Sequence, residues 1–255
     1  HSIKDMLIPF HEIKDGKYSK LVAHCNNVEA DIDHPLIHSI NKQDYDYVIG
    51  TFCRLNKPFL ILAIQGVCDY VKKRSNKRFL LLVIGDAPEG DASSVKITEM
   101  VGKIANVKLI ITGYVYPVPT RLLEKCDVFL SSAGSSRPCM RSGIPTVTFD
   151  ANDCQPIGIL GWTTNNSLFR SEDEHAQDLD SLLTDILETG KYPKKPANYR
   201  QGVPDFSKHL EFIDQATPSL EYYDMKKIKI AGMTEKRIKF MLSIVGPTNY
   251  LSLSK

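Results

Sequence analysis

The sequence predicts an α/β fold: a doubly wound, Rossmann-like parallel sheet of about six strands, continued by a helical C-terminal extension. Three observations predict it. Apolar runs rich in β-branched residues alternate with stretches of helical periodicity between residues 47 and 150. The runs end in small-residue turns, near Gly50, Gly85, Gly113 and Ser131. One run, FLLLVI in the segment 78–85, is continuously apolar, as a strand covered on both faces must be.

Taken in order, residues 1–46 are mixed and read as an N-terminal segment or interdomain linker. His24, His34 and His38 lie there. Pro35 interrupts the His34–His38 pair and no acidic third ligand has metal spacing, so surface or loop histidines are expected. Residues 47–53 (YVIGTFC) are the first strand. A turn over 54–57 leads to Pro58, which suits the first helical position. Leu60, Ile61, Ile64, Val67, Cys68 and Val71 then mark one helix face. Strand 78–85 stops at a turn cluster over 85–90. An amphipathic helix over 95–104, a strand over 107–112 and one or two helical turns over 120–126 follow. The stretch 128–150 (VFLSSAGSSRPCMRSGIPTVTFD) reads as strand, small-residue loop, short helix over 137–142, turn and strand. Residues 151–166, with Trp162, are read as irregular, and 167–170 as a last short strand. A helix is expected over 173–189, a loop rich in Lys, Pro and Gly over 191–204, and helices near 205–216 and 234–245. The division is therefore 1–46, a sheet domain over 47–190, and an extension over 191–255.

Of 255 residues 42% are apolar, enough to bury a core, and the net charge of +2 gives no field suited to nucleic acid. Lys72, Lys73, Arg74, Lys77 and Arg78 cluster at the end of a helix. Two readings stand: cations solvating a helix C-terminus, where they suit the dipole, and peripheral contact with an anionic membrane. The six cysteines show no CxxC pair and no metal-ligand spacing, so reduced, mostly buried thiols and a cytoplasmic location are expected. The sequence has no signal-peptide pattern and no long apolar span.

An open parallel sheet gathers its ligand-binding loops at the carboxyl edge. Here these are 50–57, 85–90, 113–119, 131–136 and 150–161. Arg54 and Lys57, beside a helix start, suit a diphosphate: amides and dipole bind the oxygens, and the cations neutralise them. Each alone reads as an exposed turn residue. The small residues of Ser131–Ser136 would let a ligand approach the backbone, although composition alone favours a flexible connection. The patterns GxGxxG, GxxxxGK[ST], GxSxG and HExxH are absent, which argues against a dehydrogenase, a P-loop enzyme, an α/β-hydrolase and a zincin.

The order of these loops resembles the carboxyl-terminal half of retaining GT-B glycosyltransferases of the family 4 type, over residues 20–175. HCNNVEAD stands where that family has I-P-N-G-V-D. The segment 50–57 is similar to V-G-R-L…K-G, and LVIGDAP to I-V-G-D-G-P. VKLIITGYV is similar to V-x-F-x-G-x-V, LLEKCDVFLSS to L-Y-x-x-A-D-V-x-V-x-P-S, and GIPTVTFD to G-x-P-V-I-A-x-D.

The resemblance implies a domain that binds a nucleotide-diphosphate sugar and transfers the sugar, with retention, to a glycan, lipid or protein acceptor. It implies that Arg54 and Lys57 hold the donor diphosphate and carry the catalytic charge. Gly50 and Gly85 would let the donor approach, Tyr114 and Val115 would read the base, and Ser135, Ser136 and Arg137 would face sugar and ribose. Neither a metal nor another cofactor is expected. Two departures stand out. The family carries paired glutamates before G-x-P, whereas here Pro138 occupies the second place and no acid lies between Asp127 and Asp150. Only 46 residues precede the first strand, too few for the acceptor-binding domain. With the His1-Ser2 start, this points to the donor half of a larger transferase whose N-terminal domain is missing. Two other classes stay open: a binding or scaffold module without transfer chemistry, favoured by the missing glutamates, and a GT-B-fold nucleotide-sugar epimerase. The latter would want acidic and histidine residues that these loops do not supply.

Overall fold

The computed structural model describes Val28–Glu29, residues 32–197, and Ser207, Leu210, Glu211 and Asp214. The chain divides into two compact units, Asn26–Val203 and His1–Cys25 with Pro204–Lys255. The sheet and its helices belong to the first.

The elements in order are β1 (Val28–Glu29), α1 (Pro35–Ser39), a 3-10 turn (Lys42–Asp44), β2 (Tyr47–Phe52), α2 (Pro58–Lys72), β3 (Phe79–Ile84), α3 (Ser93–Val101), β4 (Val107–Ile111), β5 (Val118–Pro119), α4 (Thr120–Leu123), β6 (Val128–Ser131), a 3-10 turn (Ala133–Ser135), α5 (Ser136–Arg141), β7 (Thr146–Phe149), β8 (Pro156–Ile159) and α6 (Leu179–Leu187). The main sheet has the order β4-β3-β2-β6-β7-β8, and β1 pairs with β5 in a small parallel ribbon. Numbered within the sheet alone, this is the 3-2-1-4-5-6 order of the doubly wound Rossmann-like architecture.

The alternation of side chains across each strand supplies a core on both faces. Phe79, Leu81 and Val83 of β3 join Ile49, Val128, Leu130 and Phe149 under α2, α3 and α6. Leu80, Leu82 and Ile84 join Val48 and Phe129 on the other face, under Ile37, Leu122, Leu123 and Cys139. All six residues of β3 are buried, as its unbroken apolar run demands. Helix α2 starts at Pro58 and buries Leu60, Ile64, Val67 and Val71, each contributing about 2 kcal/mol of apolar burial. Past its end, Arg74 N donates to the Val71 carbonyl at 2.9 Å and Lys77 N to the Arg74 carbonyl at 3.0 Å. The Asn106 side-chain amide donates to three of the carbonyls at and beyond that end, Val71 at 3.3 Å, Arg74 at 3.0 Å and Lys77 at 3.0 Å. Tyr70 donates its hydroxyl to Glu188 at 2.8 Å, and the Arg74 guanidinium lies 3.6 Å from the Tyr70 ring centroid, joining α2 to the end of α6.

The structure corrects several expectations. The sixth strand is not residues 167–170 but β8, inside the segment read as irregular. Pro156-Ile-Gly-Ile is too short to show a period, and it pairs antiparallel with β7, so the sheet is mixed. The helix expected over 173–189 starts at Leu179, because the Asp178 carboxylate caps it by accepting from Ser181 N. Helix α3 ends at Val101 and α4 at Leu123, short of residues 104 and 126. His34 caps the unforeseen α1 by accepting from Leu36 N, and His38 contacts Asp33 at 2.7 Å. Cys53, Cys68, Cys126 and Cys139 are buried free thiols and Cys154 is half-buried. Of the helix predicted near 205–216, the four described residues are helical; the one near 234–245, and residues 1–27 with His24 and Cys25, lie outside the described residues.

Candidate functional site

In the 3-2-1-4-5-6 order the chain reverses direction of winding between β2 and β6, and in doubly wound sheets the ligand crevice lies beyond the carboxyl ends of the strands at this point. Two loops flank it: residues 53–57 after β2, and the Ser131–Ser136 stretch after β6. They are tied together, since Ser131 Oγ donates to the Phe52 carbonyl at 3.3 Å. The loop after β2 is fixed from the other side by β3: Cys53 N donates to the Ile84 carbonyl at 3.2 Å and Leu55 N to the Asp86 carbonyl at 3.0 Å. The side chain of Leu55 is fully buried, which pins the loop's middle and leaves its flanks outside.

Arg54 is exposed and Lys57 half-buried, the latter at the N-cap of α2. Neither side chain has a hydrogen bond or ion pair among the described residues. They are unlike the basic cluster behind them. Lys72 meets Asp69, Lys73 and Arg74 meet Asp180, Arg74 also meets Glu188, and Lys77 and Arg78 both meet Asp46. All five cations of the cluster therefore have a carboxylate nearby. Cys53 is held by burial at a thiol pKa of about 11, although Thr51 and the Lys57 charge pull it down.

Gly85 and Gly113 close the floor beside this loop. They pair across an isolated antiparallel bridge, and Gly85 N donates to Thr112 Oγ1 at 3.3 Å. Gly85 has φ +147, and a Cβ there would sit 2.0 Å from the Cys53 carbonyl oxygen. Beyond Gly113, Tyr114 is 80% exposed and stacks on Tyr116 at a centroid distance of 6.4 Å, while Val115 is half-buried.

Two of the residues assigned to donor binding are placed differently. Gly50 does not open the loop; it lies inside β2, buried, and a Cβ on it would fall 2.5 Å from both Cys126 Sγ and the Phe129 ring. Its lack of a side chain serves sheet packing. Ser136 is fully buried at the start of α5 and donates its hydroxyl to the Ala133 carbonyl at 2.6 Å. Ser135 is half-buried and spends its hydroxyl on Ser131 Oγ and the Ser132 carbonyl, each at 3.0 Å. Arg137 is exposed. Ala133 takes φ 57, a left-handed conformation that lets the chain turn out of β6.

Acidic groups do stand at this edge, on neighbouring loops. Asp86 Oδ1 accepts from Ala87 N at 2.8 Å, and Asp86 Oδ2 lies 3.9 Å from where a Gly113 side chain would begin. Asp150, at the end of β7, is buried and committed: it accepts from Asn152 N and Arg170 N, both at 2.7 Å, and Arg170 Nε approaches to 3.7 Å. Sequence inspection passes over Arg170, whose guanidinium also pairs with Asp153 and whose Nη1 is buried without a hydrogen bond. Only the contact across 20 residues reveals it. Among the described residues no group of three or more His, Cys, Asp or Glu is placed to hold a metal ion, and no helix is long and apolar enough to cross a membrane.

No family profile and no curated protein matches the chain. Solved structures do. One is a putative UDP-N-acetylglucosamine 2-epimerase from Listeria monocytogenes, 14% identical over 77% of this chain and 52% of that one, with a TM-score of 0.44. Another is Anabaena Alr3699/HepE in complex with UDP and glucose, 20% identical over 65% of this chain and 47% of that one, with a TM-score of 0.42. A third is the catalytic domain of cholesterol-alpha-glucosyltransferase from Helicobacter pylori, 19% identical over 56% of this chain and 87% of that one, with a TM-score of 0.36. The chain spans about half the length of the Listeria and Anabaena proteins. The strand order and the two-sided core carry the fold.

Proposed function

We propose that the domain binds a nucleotide-diphosphate sugar and acts as the donor-binding half of a retaining glycosyltransferase. The observation that carries this reading is the pair Arg54 and Lys57. Two cations without carboxylate partners among the described residues flank the buried Leu55 anchor at the switch point, beside the N-terminus of the 15-residue α2. A diphosphate in the crevice would meet both charges and the positive end of the helix dipole. Charge builds on the diphosphate as the sugar leaves, so the same groups would favour the transition state over the bound donor. The motif order of a retaining GT-B donor half supports the assignment. The sugar, the acceptor domain, a cytoplasmic location and peripheral membrane contact stand as parts of the same proposal.

The test is calorimetric titration with uridine and guanosine diphosphates. Saturable binding is expected, weakened about tenfold or more by Arg54→Ala and by Lys57→Ala, as loss of a charge-assisted contact requires. No saturable binding of either diphosphate would sink the proposal. A scaffold role is the second reading. It is favoured by the internal commitment of Ser135 and Ser136 and by the lack of an acid on that loop. Binding without transfer or hydrolysis of the sugar by the whole protein would select it.

A further inference from the structure

The sequence holds a single tryptophan, Trp162, and it lies at the surface, 40% exposed. It follows β8, which runs antiparallel to β7, so it sits at the amino edge of the sheet, away from the switch-point loops. The Lys195 ammonium lies 3.6 Å from the centroid of its ring. Tyr192 packs against it at near right angles, with 5.5 Å between centroids. Helix α5 adjoins them. A Cβ on Gly161 would fall 3.1 Å from Met140 Sδ, and Lys195 N donates to the Gly143 carbonyl at 2.8 Å. Arg137 and Arg141, one turn apart on α5, are both exposed.

The charge on this face differs from that of the 72–78 cluster, where every cation has a carboxylate nearby. Among the described residues, Arg137, Arg141 and Lys195 have no carboxylate partner. Lys191 and Lys194 alongside are answered, by Asp185 at 2.8 Å and Asp127 at 3.0 Å. Three cations without acidic partners therefore stand beside an exposed indole. A paired cation has little attraction left for an outside anion, whereas an unpaired one keeps it. Indole and phenol rings, apolar with one polar edge, favour the headgroup level of a bilayer, and basic side chains beside them reach its phosphates.

We propose that Trp162, Tyr192, Lys195 and Arg141, with Arg137 extending the row, form a docking face for an anionic lipid bilayer. The indole would enter the headgroup layer while the cations meet lipid phosphates and carboxylates, each adding to the attraction. The exposed aromatic surface favours lipid over a purely electrostatic partner, and a net charge of +2 argues against nucleic acid. The inference rests on the peripheral contact included in the proposed function, moves it from the 72–78 cluster to this face, and makes no use of donor binding.

The experiment mixes the full chain with phosphatidylcholine–phosphatidylserine vesicles whose acyl chains carry bromine. Because Trp162 is the sole indole, its emission reports this face alone. Cosedimentation, a blue shift and quenching by bromine are expected, lost on pure phosphatidylcholine and weakened by salt. Lys195→Gln combined with Arg141→Gln should reduce vesicle affinity about tenfold or more, with circular dichroism unchanged. Absence of cosedimentation would overturn this inference together with the peripheral contact. Binding with an unquenched indole, or with unchanged affinity in the double variant, would overturn this face alone. Neither result bears on the diphosphate titration.

Discussion

The α-carbon of Gly85 faces the carbonyl of Cys53 so closely that a methyl group would sit 2.0 Å from its oxygen. The contact sets the distance between the end of β3 and the loop that carries Arg54. Gly85→Ala adds both this clash and the strain of φ +147. A loss of about 3 kcal/mol is expected in urea unfolding. Gly90→Ala is the control: φ +79 with nothing within 4 Å should cost only about 1 kcal/mol.

Gly50→Ala separates packing from ligand approach. Its Cβ would meet Cys126 and Phe129 in the interior of the sheet, so the variant should unfold about 1–3 kcal/mol more easily. Diphosphate affinity per folded molecule should stay within about twofold, since the side chain adds nothing at the loop. A large affinity loss in a variant of unchanged stability would restore a role for Gly50 at the ligand.

Arg54→Ala and Lys57→Ala should leave the unfolding midpoint almost unmoved, within about 0.5 kcal/mol, because neither side chain has an intramolecular partner among the described residues. Loss of diphosphate binding at unchanged stability is the signature of cations reserved for a ligand. Destabilisation by about 2 kcal/mol would instead mark them as structural.

Glu174 supplies a pH dependence. Burial opposes its ionisation, yet hydrogen bonds from Thr164, Ser171 and Asn166 outweigh that and hold its pKa at about 2, against an ordinary 4.5. A depressed carboxylate pKa means that the folded state gains stability above pH 4.5 and loses it as pH falls towards 2. Glu174→Gln should cost about 1–2 kcal/mol at pH 7, because a Gln amide turns a donor towards Asn166 and Ser171. The gap to the native protein should close on acidification, read from denaturant midpoints between pH 6 and pH 3. A gap independent of pH would exclude the carboxylate's charge as the cause.

What could be read in the sequence followed from long or well-capped signals. Phe79–Ile84 is apolar at every position, and Pro58 followed by an apolar face at helical spacing allows only one start for α2. The four-residue β8 carries too few positions to show a period, and its pairing with β7 depends on a partner that sequence order does not name. Glycine is ambiguous for a physical reason. The same lack of a side chain serves the Cys53 carbonyl at Gly85 and the Phe129 ring at Gly50, and only the neighbours tell them apart. The serines of the Ser131–Ser136 stretch looked like ligand hydroxyls because their internal acceptors, the Ala133 and Ser132 carbonyls, become available only when the 3-10 turn forms.

One carboxamide closes the far end of α2. The Asn106 nitrogen serves the carbonyls of Val71, Arg74 and Lys77 at once. Loss of ammonia from that group, the ordinary ageing chemistry of asparagine, would put an anion in front of three oxygens where two N–H bonds had been. A single hydrolysed bond, removing no apolar contact, would then loosen the end of α2 and the turn beyond it from the start of β4.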